Sequence, residues 1–368
     1  MKTAFSVPLN PALKDLPVYQ PGRPINEVAR EMGLEPGEII KLASNENPLG
    51  PSPKAIEAMR DALPTLHLYP DGNVFYLKQR LAEILDVTPD HLIFGNGSNE
   101  IIQFVGHACM APGTEVIVSQ YCFAIYPIIT SLFGATLVTV PAKQFGHDIP
   151  AMLAAVNANT RVMFVAAPNN PTGTLPPRED IIRLLNEIPP HVLLVMDEAY
   201  IEFLKDPVNT LALVRNGEKP NLLLMRTFSK VFGLAGLRIG YGIGHPDLIK
   251  AFEKVRQPFN INTLAQVAAL AALDDKAHLA ATRANNEQGL EYYNLAFRQL
   301  ELKFIPSHAN FILVRVGDAP RIFVELQKRG IITRPMGGYG LPEWLRISVG
   351  DATENAHCIV EFKKIIGR

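Results

Sequence analysis

From residue 90 onward the chain repeats one arrangement: a short run rich in Val, Ile and Leu, then a stretch of helical periodicity. The runs are His91–Phe94, Glu115–Ser119, Thr136–Val140, Arg161–Ala166, His191–Met196, Asn221–Met225 and Leu237–Tyr241. They lack the polar–apolar alternation of a strand with one wet face, so they predict strands covered on both sides. Asn99–Met110, Phe123–Leu132 and Arg178–Glu187 read as helices between them. Strands alternating with helices predict an α/β fold: a large three-layer domain around a mostly parallel, open, seven-stranded sheet.

The flanks read differently. Residues 1–45 are proline-rich, with a short helical pattern over Ile25–Met32, and predict an arm packing near a second domain. Helices are expected at Pro53–Ala62, where the proline suits the first turn, and at Phe75–Leu85. After about residue 246 the strand signal fades into helices at Pro246–Val255, Thr263–Leu273 and Lys276 to about Glu301. Short strands at Lys303–Ile305, Asn310–Val316, Ile331–Arg334 and Leu345–Val349, with helices Pro320–Arg329 and Thr353–Ile366, predict a smaller α+β C-terminal domain. The expected division is 1–45, 46–260 and 261–368, and 368 residues suit two cores better than one.

Several function classes are disfavoured. A net charge of -1 with no Lys/Arg run argues against nucleic acid or acidic lipid as partners. No apolar run is long enough to span a bilayer, and Met1–Pro8 shows no signal-peptide core. Cys109, Cys122 and Cys358 are scattered, as expected in a reducing cytoplasm. The histidines form no HxxxH or HxH cluster, so no metal site is predicted.

Ligands of open parallel sheets bind beyond the carboxyl ends of the strands, which makes the first polar residues after each run the ones to inspect. After His91–Phe94 comes Gly95-Asn96-Gly97-Ser98-Asn99 and then a helix. Such a start offers backbone N–H groups and a helix dipole to a phosphate, with Ser98 or Asn99 able to cap it. After Arg161–Ala166 comes Asn169-Asn170-Pro171-Thr172-Gly173, whose Asn170 amide can donate. After His191–Met196 comes Asp197-Glu198-Ala199-Tyr200, a carboxylate costly to bury without a partner. After Asn221–Met225 comes Thr227-Phe228-Ser229-Lys230, with Arg238 eight residues beyond the lysine. A lysine in apolar surroundings is biased to its neutral, nucleophilic form, which makes Schiff bases with carbonyls. The hydroxyls and Arg238 suit an anion beside it. A ligand with a phosphate, a carbonyl, an acceptor oxygen and a basic nitrogen answers all of them, and pyridoxal 5'-phosphate (PLP) has all four. Phe123 could stack on its ring, with Tyr121 as the alternative.

These residues, in this order, resemble the fold-type I PLP-dependent aminotransferases (class II) across essentially the whole chain. The resemblance implies Lys230 as the Schiff-base lysine and proton shuttle, Asp197 on the pyridine nitrogen, and Asn170 with Tyr200 on the phenolic oxygen. It implies Ser98, Asn99, Thr227, Ser229 and Arg238 around the phosphate. It also implies a homodimer in which Tyr69 reaches the partner's cofactor phosphate. Tyr19, Ser44-Asn45-Glu46-Asn47-Pro48, Gly330-Ile331-Ile332-Thr333-Arg334 and Leu345-Arg346-Ile347-Ser348-Val349-Gly350 look most like the histidinol-phosphate branch of that family. That branch exchanges an amino group between histidinol phosphate and 2-oxoglutarate or glutamate in histidine biosynthesis. Tyr19, Asn47, Arg334 and Arg346 are then the expected substrate-binding residues, the two guanidiniums suiting a dianionic phosphate. An aromatic amino-acid aminotransferase or a threonine-phosphate decarboxylase of the same fold is the alternative. A cofactor-binding regulator without turnover would need a DNA-binding extension or basic patch that the sequence lacks.

Overall fold

The computed structural model describes residues 7–14, 16 and 18–367. The stretch read for a leader peptide therefore lies mostly outside the described residues, as do Asp15 and Pro17 of the arm. In chain order the arm contributes α1 (Ile25–Met32) and β1 (Ile40–Lys41), followed by α2 (Pro53–Ala62), α3 (Phe75–Leu85), β2 (Leu92–Gly95) and α4 (Ser98–Cys109). Next come β3 (Glu115–Ser119), α5 (Ile125–Leu132), β4 (Thr136–Val140), α6 (Ile149–Ala154), β5 (Thr160–Ala166), α7 (Arg178–Glu187) and β6 (Leu193–Asp197). The large sheet closes with α8 (Thr210–Arg215), β7 (Leu222–Thr227), β8 (Gly240–Gly244), α9 (Pro246–Glu253) and α10 (Thr263–Leu273). The long α11 (Lys276–Gln299) leads to β9 (Phe304–Ile305), β10 (Phe311–Arg315), α12 (Ala319–Gln327), β11 (Ile331–Ile332), β12 (Arg334–Pro335), β13 (Trp344–Ser348) and α13 (Ala352–Ile366).

The seven runs make one sheet in the order β2-β8-β7-β6-β5-β3-β4. Its pairs are parallel except those of β8, which runs antiparallel to both neighbours. Alternate residues of a strand enter different cores. Met163, Val165, Leu194, Met196 and Leu224 pack on one face, and Val162, Phe164, Leu193, Val195 and Leu223 on the other. This is why the runs read as continuously apolar: each face of the sheet is a helix–sheet interface. Only β4, at one edge, is partly exposed along most of its length.

The β8 strand begins three residues later than its apolar run suggested. Ala235–Leu237 is a single 3-10 turn, and Arg238 after it takes a left-handed φ of 56°. The strand itself is Gly240-Tyr241-Gly242-Ile243-Gly244, weak in the β-branched residues that mark a strand. Its first glycine is sterically required, because a Cβ on Gly240 would sit 2.4 Å from the backbone N of Ser98. The short helices α6 and α8 were not anticipated. Six residues give too little periodicity to stand out from a loop.

The small sheet has the order β12-β13-β10-β9, antiparallel throughout, while β1 of the arm pairs in parallel with β11. The expected single strand Ile331–Arg334 is thus two. Ile331–Ile332 belongs to the arm's pair, Thr333 crosses over, and Arg334 lies opposite Arg346 on β13. Val28, Ala29, Ile39 and Ala43 of the arm pack with Ile332 in a satellite core. The boundary expected at 260/261 divides elements that share one core. Ala265, Ala268, Ala269 and Ala272 of α10 pack with Ala55 of α2 and the sheet residues above. Small side chains on both helices allow that close approach.

The Lys230 turn is held against the chain at Gly50. Gly233 has φ +70°, and a Cβ there would lie 2.1 Å from the Gly50 carbonyl oxygen. Gly233→Ala is therefore expected to lower the unfolding free energy by about 2 kcal/mol or more. Gly236→Ala, where nothing lies within 4 Å of the added carbon, should cost less than about 1 kcal/mol. Equal denaturation midpoints for the two variants would contradict this.

Candidate active site

Beyond the carboxyl ends of β5, β6 and β7 lies a cavity of about 350 Å³, lined by Ser98, Asn99, Phe123, Asn170, Asp197, Tyr200, Thr227, Ser229, Lys230 and Arg238 among others. Every cofactor-binding residue expected from the sequence is therefore brought together in one chain except Tyr69.

One end of the cavity is rich in donors. Helix α4 starts there with Gly97 as its N-cap and no side-chain cap; the Glu100 N–H donates to the Gly97 carbonyl at 3.3 Å, and those of Ser98 and Asn99 are left for a ligand. The expected capping by Ser98 or Asn99 does not occur, because both already belong to the helix. Gly97 has φ +71°, and a Cβ there would sit 2.6 Å from Nη2 of Arg238. A side chain would fill the space the guanidinium occupies. Thr227 Oγ1 donates to Ser229 Oγ at 3.0 Å and accepts from the Ser229 backbone N–H at 3.1 Å. Arg238 makes no ion pair among the described residues and donates only to the Ala235 carbonyl, at 3.1 Å.

Lys230 sits at the middle. Its Nζ donates to the Ser44 carbonyl at 3.3 Å and lies 5.7 Å from the centre of the Tyr200 ring. Burial, reinforced by the positive charge of Arg346 and Arg238, pulls its pKa down to about 8, against the opposing pull of Glu46 and Asp197. A sizeable neutral fraction near pH 8 is what a nucleophilic amine needs.

At the other end is Asp197. Tyr126 donates its hydroxyl to Oδ2 at 2.5 Å and the Ala199 N–H donates to Oδ1 at 3.1 Å. Burial raises the carboxyl pKa and these bonds oppose the rise. Tyr200 OH accepts from Asn45 Nδ2 at 2.9 Å, which leaves its own proton free to donate. Arg346 Nη1 donates to Asn170 Oδ1 at 2.6 Å. A guanidinium cannot accept, so this bond fixes the amide orientation and leaves Asn170 Nδ2 as the free donor. Phe123 lines the cavity, whereas Tyr121 stacks on Phe145 with centroids 5.9 Å apart. Asn45 and Tyr126 were missed in the sequence. Tyr126 was detectable as the residue one helical turn after Phe123, and Asn45 as a neighbour of Asn47.

A second cavity, of about 470 Å³, adjoins the arm and is lined by Tyr19, Cys122, Arg334 and Tyr339. Arg334 donates to the Gln20 carbonyl at 2.5 Å. Arg346 donates to the Ala43 carbonyl at 2.8 Å, and its buried Nε has no partner. The two arginines face each other across β12 and β13, and neither forms an ion pair among the described residues. Like charges on facing strand positions repel unless an anion joins them. Tyr339, also missed, stands with them; burial raises its pKa and the two guanidiniums oppose the rise.

Two expected residues lie elsewhere. Asn47 is spent on structure: Nδ2 donates to the Val231 carbonyl at 3.0 Å and to Thr282 Oγ1 at 3.1 Å, and Oδ1 accepts from the Leu49 N–H. Its neighbours Ser44 and Glu46 line the cavity instead. Tyr69 is 82% exposed and stacks on Phe259 at 4.8 Å, outside the cavity.

PLP fits these groups by its chemistry: uncapped N–H groups, hydroxyls and an unpaired guanidinium for a phosphate, a desolvated amine for a carbonyl, two oriented donors for an oxygen, and a buried carboxylate for a basic nitrogen. Among the described residues, no group of three His, Cys, Asp or Glu could hold a metal ion. No described helix is long and apolar enough to cross a membrane.

Residues 37–362 match the aminotransferase class I and II family. The chain is 48% identical to histidinol-phosphate aminotransferase of Akkermansia muciniphila, over 97% of this chain and 98% of that one. It is 48% identical to histidinol-phosphate aminotransferase 2 of Pseudomonas fluorescens over 100% of both. In structure it is similar to histidinol-phosphate aminotransferase from Sinorhizobium meliloti, crystallised in complex with pyridoxal-5'-phosphate, with a TM-score of 0.90, 29% identity and 99% of each chain covered.

A lysine whose pKa is lower folded than unfolded destabilises the fold wherever both states hold the proton, and the cost vanishes as pH rises past the unfolded value. Lys230→Met should therefore raise the stability of the cofactor-free protein by about 3 kcal/mol. The gain should be full below pH 8 and fade between about 8 and 10.5. A pH-independent difference in denaturation midpoints would rule this out.

Proposed function

The chain belongs to the class I and II aminotransferases, and we propose that its amine substrate is L-histidinol phosphate, with 2-oxoglutarate receiving the amino group as glutamate, in histidine biosynthesis. The observation that carries this reading is the facing pair Arg334 and Arg346, without a carboxylate partner, beside the Lys230 cavity. A single substrate carboxylate would leave that pair half neutralised. A phosphate monoester of roughly -1.5 to -2 charge balances it and offers three acceptor oxygens.

PLP, when bound, supplies an electron sink for the carbon that bears the amine. The rest falls to the chain's own residues. Lys230 would hold the cofactor through its carbonyl carbon, and its Nζ, once free, would carry the proton from the substrate's amine-bearing carbon to that cofactor carbon. Asp197, held by Tyr126 and the Ala199 N–H, keeps the pyridine nitrogen protonated. Asn170 and Tyr200, oriented by Arg346 and Asn45, donate to the phenolic oxygen, and Phe123 covers the ring. Ser98, Asn99, Thr227, Ser229 and Arg238 hold the cofactor phosphate. Tyr19 and Tyr339 add hydroxyl donors for the substrate phosphate.

The working unit in this reading is a homodimer. Leu66, Leu68, Phe75 and Tyr76 are exposed by 48, 61, 53 and 74% around Tyr69. Large apolar side chains left exposed this close together in the chain suit a protein contact. A second copy would cover it and receive Tyr69 at its cofactor phosphate.

Two outcomes test the proposal. Arg334→Ala should raise KM for histidinol phosphate by about ten- to a hundred-fold, and much less for glutamate. Equal losses, or a parent enzyme that prefers phenylalanine or threonine phosphate, would defeat the substrate assignment. By sedimentation the protein should have twice the 40.5 kDa mass of the chain, and Leu68→Glu/Tyr76→Glu should halve it and abolish turnover. An active monomer would remove Tyr69 from the site.

A further inference from the structure

Asp197 ends β6 and Thr227 ends β7, and both line the Lys230 cavity. Side chains alternate faces along a strand, so their neighbours Glu198 and Arg226 point the other way. Glu198 lines a separate cavity, of about 280 Å³, that contains none of the Lys230 cavity's residues. Glu198 and Arg226 form a buried ion pair. Arg226 Nε and Nη2 each lie 2.8 Å from Glu198 Oε2. The second carboxylate oxygen accepts from Thr210 Oγ1. Tyr241 stands opposite Arg226 on β8. The Glu198 side chain is 2% exposed and that of Arg226 15%.

Stability alone gives a weak reason for such a pair. Stripping both ions of water costs about what their attraction returns, and a well-packed apolar pair does as well. What an apolar pair cannot do is fix a distance with directional bonds. The Glu198 N–H also donates to the Met225 carbonyl at 2.8 Å, so the pair and the backbone tie the same two strand ends together. We propose that Glu198 and Arg226 are positioning residues that hold Asp197 and Thr227 at the separation spanned by one cofactor molecule, from its ring nitrogen to its phosphate. The proposal rests on the reading that the Lys230 cavity holds PLP. Neither residue touches that cavity, so the effect passes through the strand ends alone. A further consequence is electrostatic: Arg226 offsets the Glu198 carboxylate one residue from Asp197, which would otherwise disfavour a second negative charge so near.

The test uses Glu198→Gln/Arg226→Gln, which removes both charges and keeps volume and hydrogen-bonding groups. The cofactor-free proteins are titrated with PLP, followed by absorbance and by the circular dichroism the bound ring acquires, and melted separately. The expected result is a melting temperature within a few degrees of the parent's, with PLP affinity weakened at least about ten-fold and an altered dichroism band. Arg226→Lys keeps the charge and loses the two-armed contact, and should bind PLP more weakly than the parent and more tightly than the double variant. Should the double variant not fold, Arg226→Lys alone decides. Parent-like affinity and dichroism in whichever variant folds overturns the positioning role. A parent protein that fails to take up PLP overturns the cofactor reading and this proposal with it.

Discussion

The buried charges of Lys230, Asp197 and Arg346 stand beside the cavity, and each would cost several kcal/mol to strip of water with nothing in return. The chain meets that cost unevenly. Asp197 receives a phenol and a backbone N–H. Arg346 receives an amide oxygen and a carbonyl but keeps one orphaned nitrogen. Lys230 receives a single long contact to a carbonyl, while Arg238, exposed at the cavity mouth, donates only within its own turn. The deficit is greatest where bound phosphates and a carbonyl would make it good. Incomplete satisfaction here is the molecule's affinity for its ligands, held in reserve by the fold.

Holding such a deficit requires rigid surroundings. The strands that end at Asp197 and Thr227 are buried on both faces, with Val195, Leu223 and Met225 at or near zero exposure on one side and Leu194, Met196 and Leu224 on the other. Interiors packed this tightly leave little room for the strand ends to drift toward water. Glycines do the rest of the fitting. Gly97, Gly233 and Gly240 each stand where a single added carbon would collide with a guanidinium or a backbone. The Lys230 turn, the Arg238 side chain and the start of α4 are therefore fixed by close contact as well as by hydrogen bonds.

How much of this could be read in the sequence depended on whether the signal was local. The seven strands were legible because burial on both faces writes itself into consecutive residues. Lys230, Asp197 and Asn170 were legible because a polar residue directly after such a run is conspicuous. β8 was misplaced by three residues because the contact with Ser98 demanded glycine where strand-forming residues would have marked the element. Tyr126 and Asn45 were missed because what they do lies 71 and 155 residues away in the chain. Asn47 was assigned to the substrate by its motif, but its amide is consumed by Val231 and Thr282, a demand visible only in three dimensions. Tyr69 was assigned to a cofactor phosphate by resemblance alone, and in this chain its ring stacks on Phe259 and does not line the cavity.

The crossover at Thr333 has a thermodynamic consequence. One residue separates Ile332, which pairs with the arm, from Arg334, which faces Arg346. Residues 25–43 of the arm are therefore tied to the arginine strand by a ladder and a satellite core. The entropy lost in ordering that part of the arm is lost when the protein folds, not each time a substrate arrives. A preordered arm of this kind raises affinity without adding a contact.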